Sequence, residues 1–209
     1  EVVSFPSGAK GIVLDLDEDF VSVVMLDATS SVTELDIAKR TNDVFCIPVG
    51  DQLLGRIINV KGVPIDACGE IKCEKKMPIE QYVSGIIDRS PICRSLETGF
   101  VVIDGLFPIG RGQRELIIGN RGTGKTSIAI DTILHQKNKD VICVYVSVGH
   151  KQSNTARIIY SLEESGALDY TVVVNADAKE TALCQFLAPY VGCTIGEYFM
   201  HKGRDVLIV

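Results

Sequence analysis

Residues 115–136 read ELIIGNRGTGKTSIAIDTILHQ, and this stretch decides the fold class. Leu116, Ile117 and Ile118 form a short apolar run of strand type. It meets a turn that holds Gly119, Gly122 and Gly124. Lys125 and Thr126 follow, and a helical pattern then begins, with Ile130, Ile133 and Leu134 on one face. This is G-x-x-x-x-G-K-[ST] set after a strand and before a helix. Glycines let successive backbone N–H groups point into one concavity, and the helix N-terminus adds partial positive charge. Such a cradle suits a triphosphate. In it Lys125 reaches the β- and γ-phosphates, and the Thr126 hydroxyl binds Mg²⁺. The alternative reading is a glycine turn with a solvent-exposed lysine, which leaves the flanking strand and helix unexplained.

Toward the C-terminus, strand and helix patterns alternate. VICVYVSV at 141–148 is unbroken and apolar, as in a strand buried on both faces. A helix is predicted over 153–165, with Ser153 as its cap, Thr155, Ile158, Ile159 and Leu162 on one face, and Gly166 closing it. A strand at 171–174 follows, then a mostly helical stretch at 181–200 with a break near Pro189, then a strand at 205–209. This order predicts a mainly parallel sheet with covering helices.

Toward the N-terminus the style differs. GIVLDL (11–16) and VSVVML (21–26) read as strands joined through Asp17, Glu18 and Asp19 like a hairpin. Residues 33–37 alternate weakly, and 44–49 and 53–60 are two further strand candidates. Several short strands at close spacing predict a small barrel or sandwich. The expected division is an incomplete N-terminal β-barrel at 1–66, a linker at 67–97 and a phosphate-loop domain at 98–209. In the turn-rich run from Lys61 to Arg94, Asp66, Glu70 and Glu74 read as part of a solvated, mixed-charge loop.

The 209 residues are 46% hydrophobic and 23% charged, as in ordinary globular chains. No apolar run approaches the roughly 18 residues of a membrane span, and no signal-peptide pattern occurs. The chain begins at Glu1 and ends inside an apolar run, so it reads as a fragment. Its net charge of −6 lies in the first hundred residues, which argues against a general nucleic-acid binder. Seven cysteines lack a C-x-x-C pair or zinc-site spacing, and they read as free thiols of a reducing compartment.

Several blocks together resemble the α subunit of the F-type ATP synthase family. They are PIGRGQRELIIG at 108–119, GTGKTSIAIDTI at 122–133, LAPYVGCTIGEYF at 187–199 and DVLIV at 205–209. FPSGAKGIVLDL at 5–16 and PVGDQLLGRIINVKGVPID at 48–66 resemble that family's barrel and its junction to the core. The likeness covers essentially the whole chain. It implies a RecA-like α/β core with a mainly parallel sheet, preceded by a small β-barrel domain. It also implies an alternating hexameric ring with β subunits, contacts to γ and δ subunits, and no nucleic-acid partner. Membrane association would come only through the proton-conducting sector. That places the complex on the cytoplasmic face of a bacterial membrane, with a thylakoid or inner mitochondrial membrane as the alternatives.

The loop GNRGTGKT, with Arg121, resembles the α type rather than the catalytic β type, whose loop is similar to GGAGVGKT. Residue by residue, the resemblance implies nucleotide contacts at Gly119, Gly122, Thr123, Gly124, Lys125, Thr126 and Ser127, with Thr126 also on Mg²⁺. The ligand is then ATP or ADP. Gly122 and His150 depart from the α pattern, which has glutamine at both places. The turn Gly149-His150-Lys151 carries no carboxylate to orient an attacking water, so the site is expected to bind nucleotide without catalysis. The aspartate that completes the Mg²⁺ site is expected after the strand at 205–209, beyond Val209. Asp205, at that strand's start, is on the wrong side to replace it. The competing reading is a catalytic phosphate-loop ATPase, either an export ATPase or an RNA helicase. For the helicase, the N-terminal part lacks interleaved aromatic and basic residues. A third reading, an assembly protein that has lost nucleotide binding, is opposed by the intact Lys125 and Thr126.

Overall fold

The computed structural model describes residues 1–27, 32–73 and 75–209, so Glu74 of the charged loop lies outside the described residues. The molecule is built on two four-stranded sheets. The first is antiparallel and contains β1 (Val2–Ser4), β2 (Lys10–Leu16), β3 (Val21–Met25) and β4 (Lys39–Arg40), in the order β3-β2-β1-β4. β2 and β3 form the expected hairpin, with Asp17 N donating to Phe20 O at 3.0 Å. Among the described residues this sheet is open at both edges and is not closed into a barrel. The weak alternation at 33–37 is a turn instead of a strand. Asp36 accepts from Thr33 N at 2.8 Å, and its own N–H donates to Thr33 O at 3.1 Å. A local Asp side chain has here replaced a ladder partner.

Two short elements bridge to the second sheet. β5 (Cys46–Val49) pairs antiparallel with β7 (Lys75–Pro78) and buries Ile47, Val49 and Met77. β6 (Ile57–Asn59), which the sequence groups with the N-terminal strands, instead pairs in parallel with β11 (Thr171–Asp177). β6 is fixed from below by Asp66. That carboxylate accepts two bonds from Arg56, from Nε at 2.6 Å and Nη2 at 2.9 Å, and one from Ile57 N at 3.2 Å. The Asp66 side chain is only 6% exposed, so the reading of Asp66 as a solvated surface charge is corrected. Arg56 first, and then the N–H groups of Cys68 and Ile57, hold its carboxyl well below the usual carboxylate range.

β10 spans Val141–His150 and β12 spans Asp205–Ile208. The second sheet has the order β12-β10-β11-β6, with all three pairings parallel. Alternate residues of β10 serve two cores, as the period of a strand requires. Ile142 and Val144 face one helix, α4 (Ala182–His201), while Cys143 and Tyr145 face α2 (Lys125–His135) and α3 (Gln152–Glu164). Burial pushes the Cys143 thiol up to about 12, which leaves it an inert core residue. Tyr170 closes the base of α2 by donating to Ile133 O at 3.0 Å. The α/β class and the parallel sheet are therefore as the alternation predicts.

Three local readings differ. α3 begins at Gln152 after Lys151, and no side chain caps it, so Ser153 lies inside its first turn. α4 runs unbroken through Pro189. An interior proline costs a helix about 3 kcal/mol. Burying Leu187, Val191, Ile195 and Phe199 returns about 1.5–3 kcal/mol each, so packing overrides the break. The run at 115–118 forms no strand at all. Leu116 is 82% exposed and Ile118 84%, and no described strand lies alongside to take up its backbone groups. Ahead of it, α1 (Val101–Leu106) is a single exposed turn and a half. β8 (Ser95–Leu96) pairs with β9 (Ile109–Gly110).

Candidate functional site

The phosphate loop leads into α2. Its last residue, Gly124, is the N-cap at φ 87° and ψ 11°, and Gly122 also has a left-handed φ of 81°. A Cβ at either would meet nothing within 4 Å, so the need for glycine here is conformational and not steric. No side chain caps α2, and the first intrahelical bond is Ile128 N to Gly124 O at 3.0 Å. The N–H groups of the first turn therefore lack intrahelical partners, the arrangement that favours an anion.

A concavity of about 260 Å³ is lined by Gly122, Thr123, Gly124, Lys125, Thr126 and Ser127. Six of the seven sequence-predicted contacts thus meet on one surface. The seventh, Gly119, lies outside the lining, and its carbonyl accepts from Lys125 Nζ at 2.8 Å. Lys125 also donates to Asn120 O at 2.6 Å, and Thr123 Oγ1 donates to the same oxygen at 2.8 Å. The lysine charge is thus folded back on the loop's own carbonyls. A phosphate oxygen would replace those neutral acceptors with a charged one, which makes the stronger bond. Asn120 was invisible in the sequence reading, because its part is played by the backbone.

The hydroxyls of Thr126 and Ser127 are exposed and make no hydrogen bond among the described residues. No cluster of three or more His, Cys, Asp or Glu side chains forms a metal cage among them. A lone threonine hydroxyl at the rim of the cradle suits Mg²⁺, which takes few protein ligands and fills its shell with phosphate oxygens and water.

At the carboxyl end of β10, Gly149 turns with φ 65°, and His150 follows. His150 stands in register with Asp177 on β11, and its carbonyl accepts from Ala178 N at 3.2 Å. An acidic residue is therefore paired with this turn by the neighbouring strand. No local sequence pattern could reveal it, since the register joins residues 27 positions apart. Asp205 is the opening residue of β12, as the sequence reading has it, and it is bound by Arg94 and Arg111.

A profile of the ATP synthase alpha/beta family, nucleotide-binding domain, matches residues 99–209, more than half of the chain. The chain belongs to the ATP synthase alpha/beta family. Over all 209 residues it is 50% identical to ATP synthase subunit alpha of Clostridium botulinum. It is 52% identical to the same subunit of Clostridium acetobutylicum and of Caldanaerobacter subterraneus. It covers 42% of the first of these proteins and 41% of the other two. The chain thus spans about two fifths of the length of the relatives it matches. Within the family, the matched region holds the phosphate loop, β10, β11, β12 and the helices that pack on them. Among the described residues, no helix is long and apolar enough to cross a membrane.

Proposed function

We propose that the chain is the nucleotide-binding part of the α subunit of a proton-translocating F-type ATP synthase, holding Mg-ATP at a regulatory, non-catalytic site. The observation that carries this reading is the likeness to ATP synthase α subunits along the entire chain. The loop geometry supports it. Gly122, Thr123, Gly124, Lys125, Thr126 and Ser127 surround one concavity at a helix N-terminus, and the Gly119 carbonyl is bonded to Lys125. The α2 N–H groups would bind phosphate oxygens, and Lys125 would exchange two carbonyls for them. Thr126 would hold Mg²⁺, which neutralises phosphate charge when bound. The turn at Gly149, His150 and Lys151 has no carboxylate of its own to orient water, which is the ground for a non-catalytic role.

In this reading the N-terminal sheet belongs to a small barrel domain over residues 1–66, joined through 67–97 to the RecA-like core at 98–209. The whole subunit would alternate with β subunits in a hexameric ring and meet the γ and δ subunits. It would sit peripherally on the cytoplasmic face of a bacterial membrane, through a proton-conducting sector. The enzyme so assembled makes ATP from ADP and phosphate.

One observation favours a second reading, a catalytic phosphate-loop ATPase: the register that sets Asp177 beside His150. Titration of the chain with a fluorescent ATP analogue and Mg²⁺, followed by a phosphate-release assay, separates the two. The regulatory reading expects binding that Lys125→Ala abolishes, with no sustained release. Sustained release that Asp177→Asn removes would establish the catalytic reading instead.

A further inference from the structure

The phosphate loop has two supports, and they are unequal. On its C-terminal side, α2 is anchored by Ile130 and Ile133 in the core. On its N-terminal side, residues 113–120 belong to no strand, and Leu116, Ile117 and Ile118 are all exposed. The last firm attachment before the loop is Arg111. Its guanidinium binds Asp205 Oδ2 through Nη1, and its Nε donates to Ser95 O at 3.3 Å. Its backbone N–H donates to Arg94 O at 2.8 Å. Arg94 in turn donates through Nη2 to the other Asp205 oxygen at 3.1 Å. Asp205 is itself fixed in the parallel sheet, in register with Val141. Just past the clamp, Gln113 Oε1 accepts from Gly110 N at 2.8 Å and tightens the turn.

We infer that Asp205 is a positioning residue for the phosphate loop: by holding Arg94 and Arg111, it ties the lead-in of the loop to the opening residue of β12. It lines no part of the concavity. It acts by limiting how far Gly119 and Asn120, the carbonyl partners of Lys125, can drift from α2. Without the clamp, a bound triphosphate would have to order residues 111–120 itself, and affinity would fall by that cost.

The inference rests on the reading of this loop as a nucleotide site, and the test separates the two. The 209-residue chain and its variants are titrated, with Mg²⁺ present, against a fluorescent ATP analogue and against inorganic tripolyphosphate. Asp205→Asn should weaken both probes about fivefold, the scale of a partly exposed ion pair. Asp205→Glu should restore most of the loss. The double variant Asp205→Asn with Arg111→Gln should bind no more weakly than the worse single variant, because the two act as one unit. Ile47→Val lowers stability at a buried site in β5, far along the chain from the loop, and should keep wild-type affinity. Unchanged affinity in Asp205→Asn, or an equal loss in Ile47→Val, overturns the inference while the nucleotide site stands. A wild-type chain that binds neither probe overturns the nucleotide site itself. If Asp205→Asn does not fold, Arg111→Gln alone carries the same expectation and the same refutation.

Discussion

β10 (Val141–His150) and the run at residues 115–118 are made of the same kinds of side chain. One is enclosed over residues 141–147, and the other is open to solvent. β10 has a parallel strand on each edge, β11 and β12, and helices on both faces. Residues 115–118 have no strand beside them among those described, and their apolar side chains project outward. Composition confers the capacity to be a strand. An available edge decides whether the capacity is used, because a ladder must satisfy every N–H and C=O it displaces from water. The phosphate loop follows the open run, so it depends on α2 and on the Arg111–Asp205 contact for its position.

The largest effect should come from breaking the enclosed side of this contrast. Gly192 lies where α4 crosses β10, and an added Cβ would collide with Val146. Gly192→Val should destabilise the chain by about 3 kcal/mol, because a packed core cannot yield to an inserted branched side chain. Urea unfolding followed by circular dichroism measures it, and a loss of a few tenths would show that α4 is not seated on β10 as described.

Next in size is the buried pair that fixes β6, the far edge of the same sheet. Asp66→Asn should cost about 2–3 kcal/mol near neutral pH, since Arg56 would lose its charged partner in a site from which water is largely excluded. The pH dependence has a definite sign. The folded carboxyl ionises at lower pH than the unfolded one, so its contribution is present above the unfolded value of about 4 and declines as pH falls below it. The stability difference between wild type and Asp66→Asn should therefore narrow on acidification from pH 5 downward. A difference that stays constant through that window would assign the effect to packing.

The smallest effect belongs to the open run. Ile118→Ser should change stability by no more than about 0.5 kcal/mol, as for other exposed positions. A loss several times larger, or one that grows with protein concentration, would mean that residues 115–118 are covered in solution.

The parts of the molecule that were legible in the sequence are those whose signals are local. The unbroken apolar run of β10, the 3.6-residue patterns of α2 and α3, and the glycine-lysine-threonine loop between 119 and 126 place the phosphate loop at the start of a helix without tertiary information. The parts that were not legible depend on distant partners. β6 joins the parallel sheet through Val173, more than a hundred residues away. Asp66 becomes a buried ion-pair member only because Arg56 and the Ile57 N–H turn toward it. Asp205 is claimed by two arginines from the β8–β9 hairpin region, and Asp177 reaches His150 by strand register. Pro189 misled in the opposite direction, since a local breaker yielded to the apolar faces of α4.

The central claim is that the loop at 119–127 binds Mg-ATP without turning it over. Isothermal titration of the chain with Mg-ATP, with inorganic phosphate assayed in the same cell afterwards, tests it most directly. The account predicts saturable binding that Lys125→Ala removes, with phosphate no higher than in a protein-free control. Binding that persists in Lys125→Ala, or phosphate that accumulates over many turnovers, would contradict it.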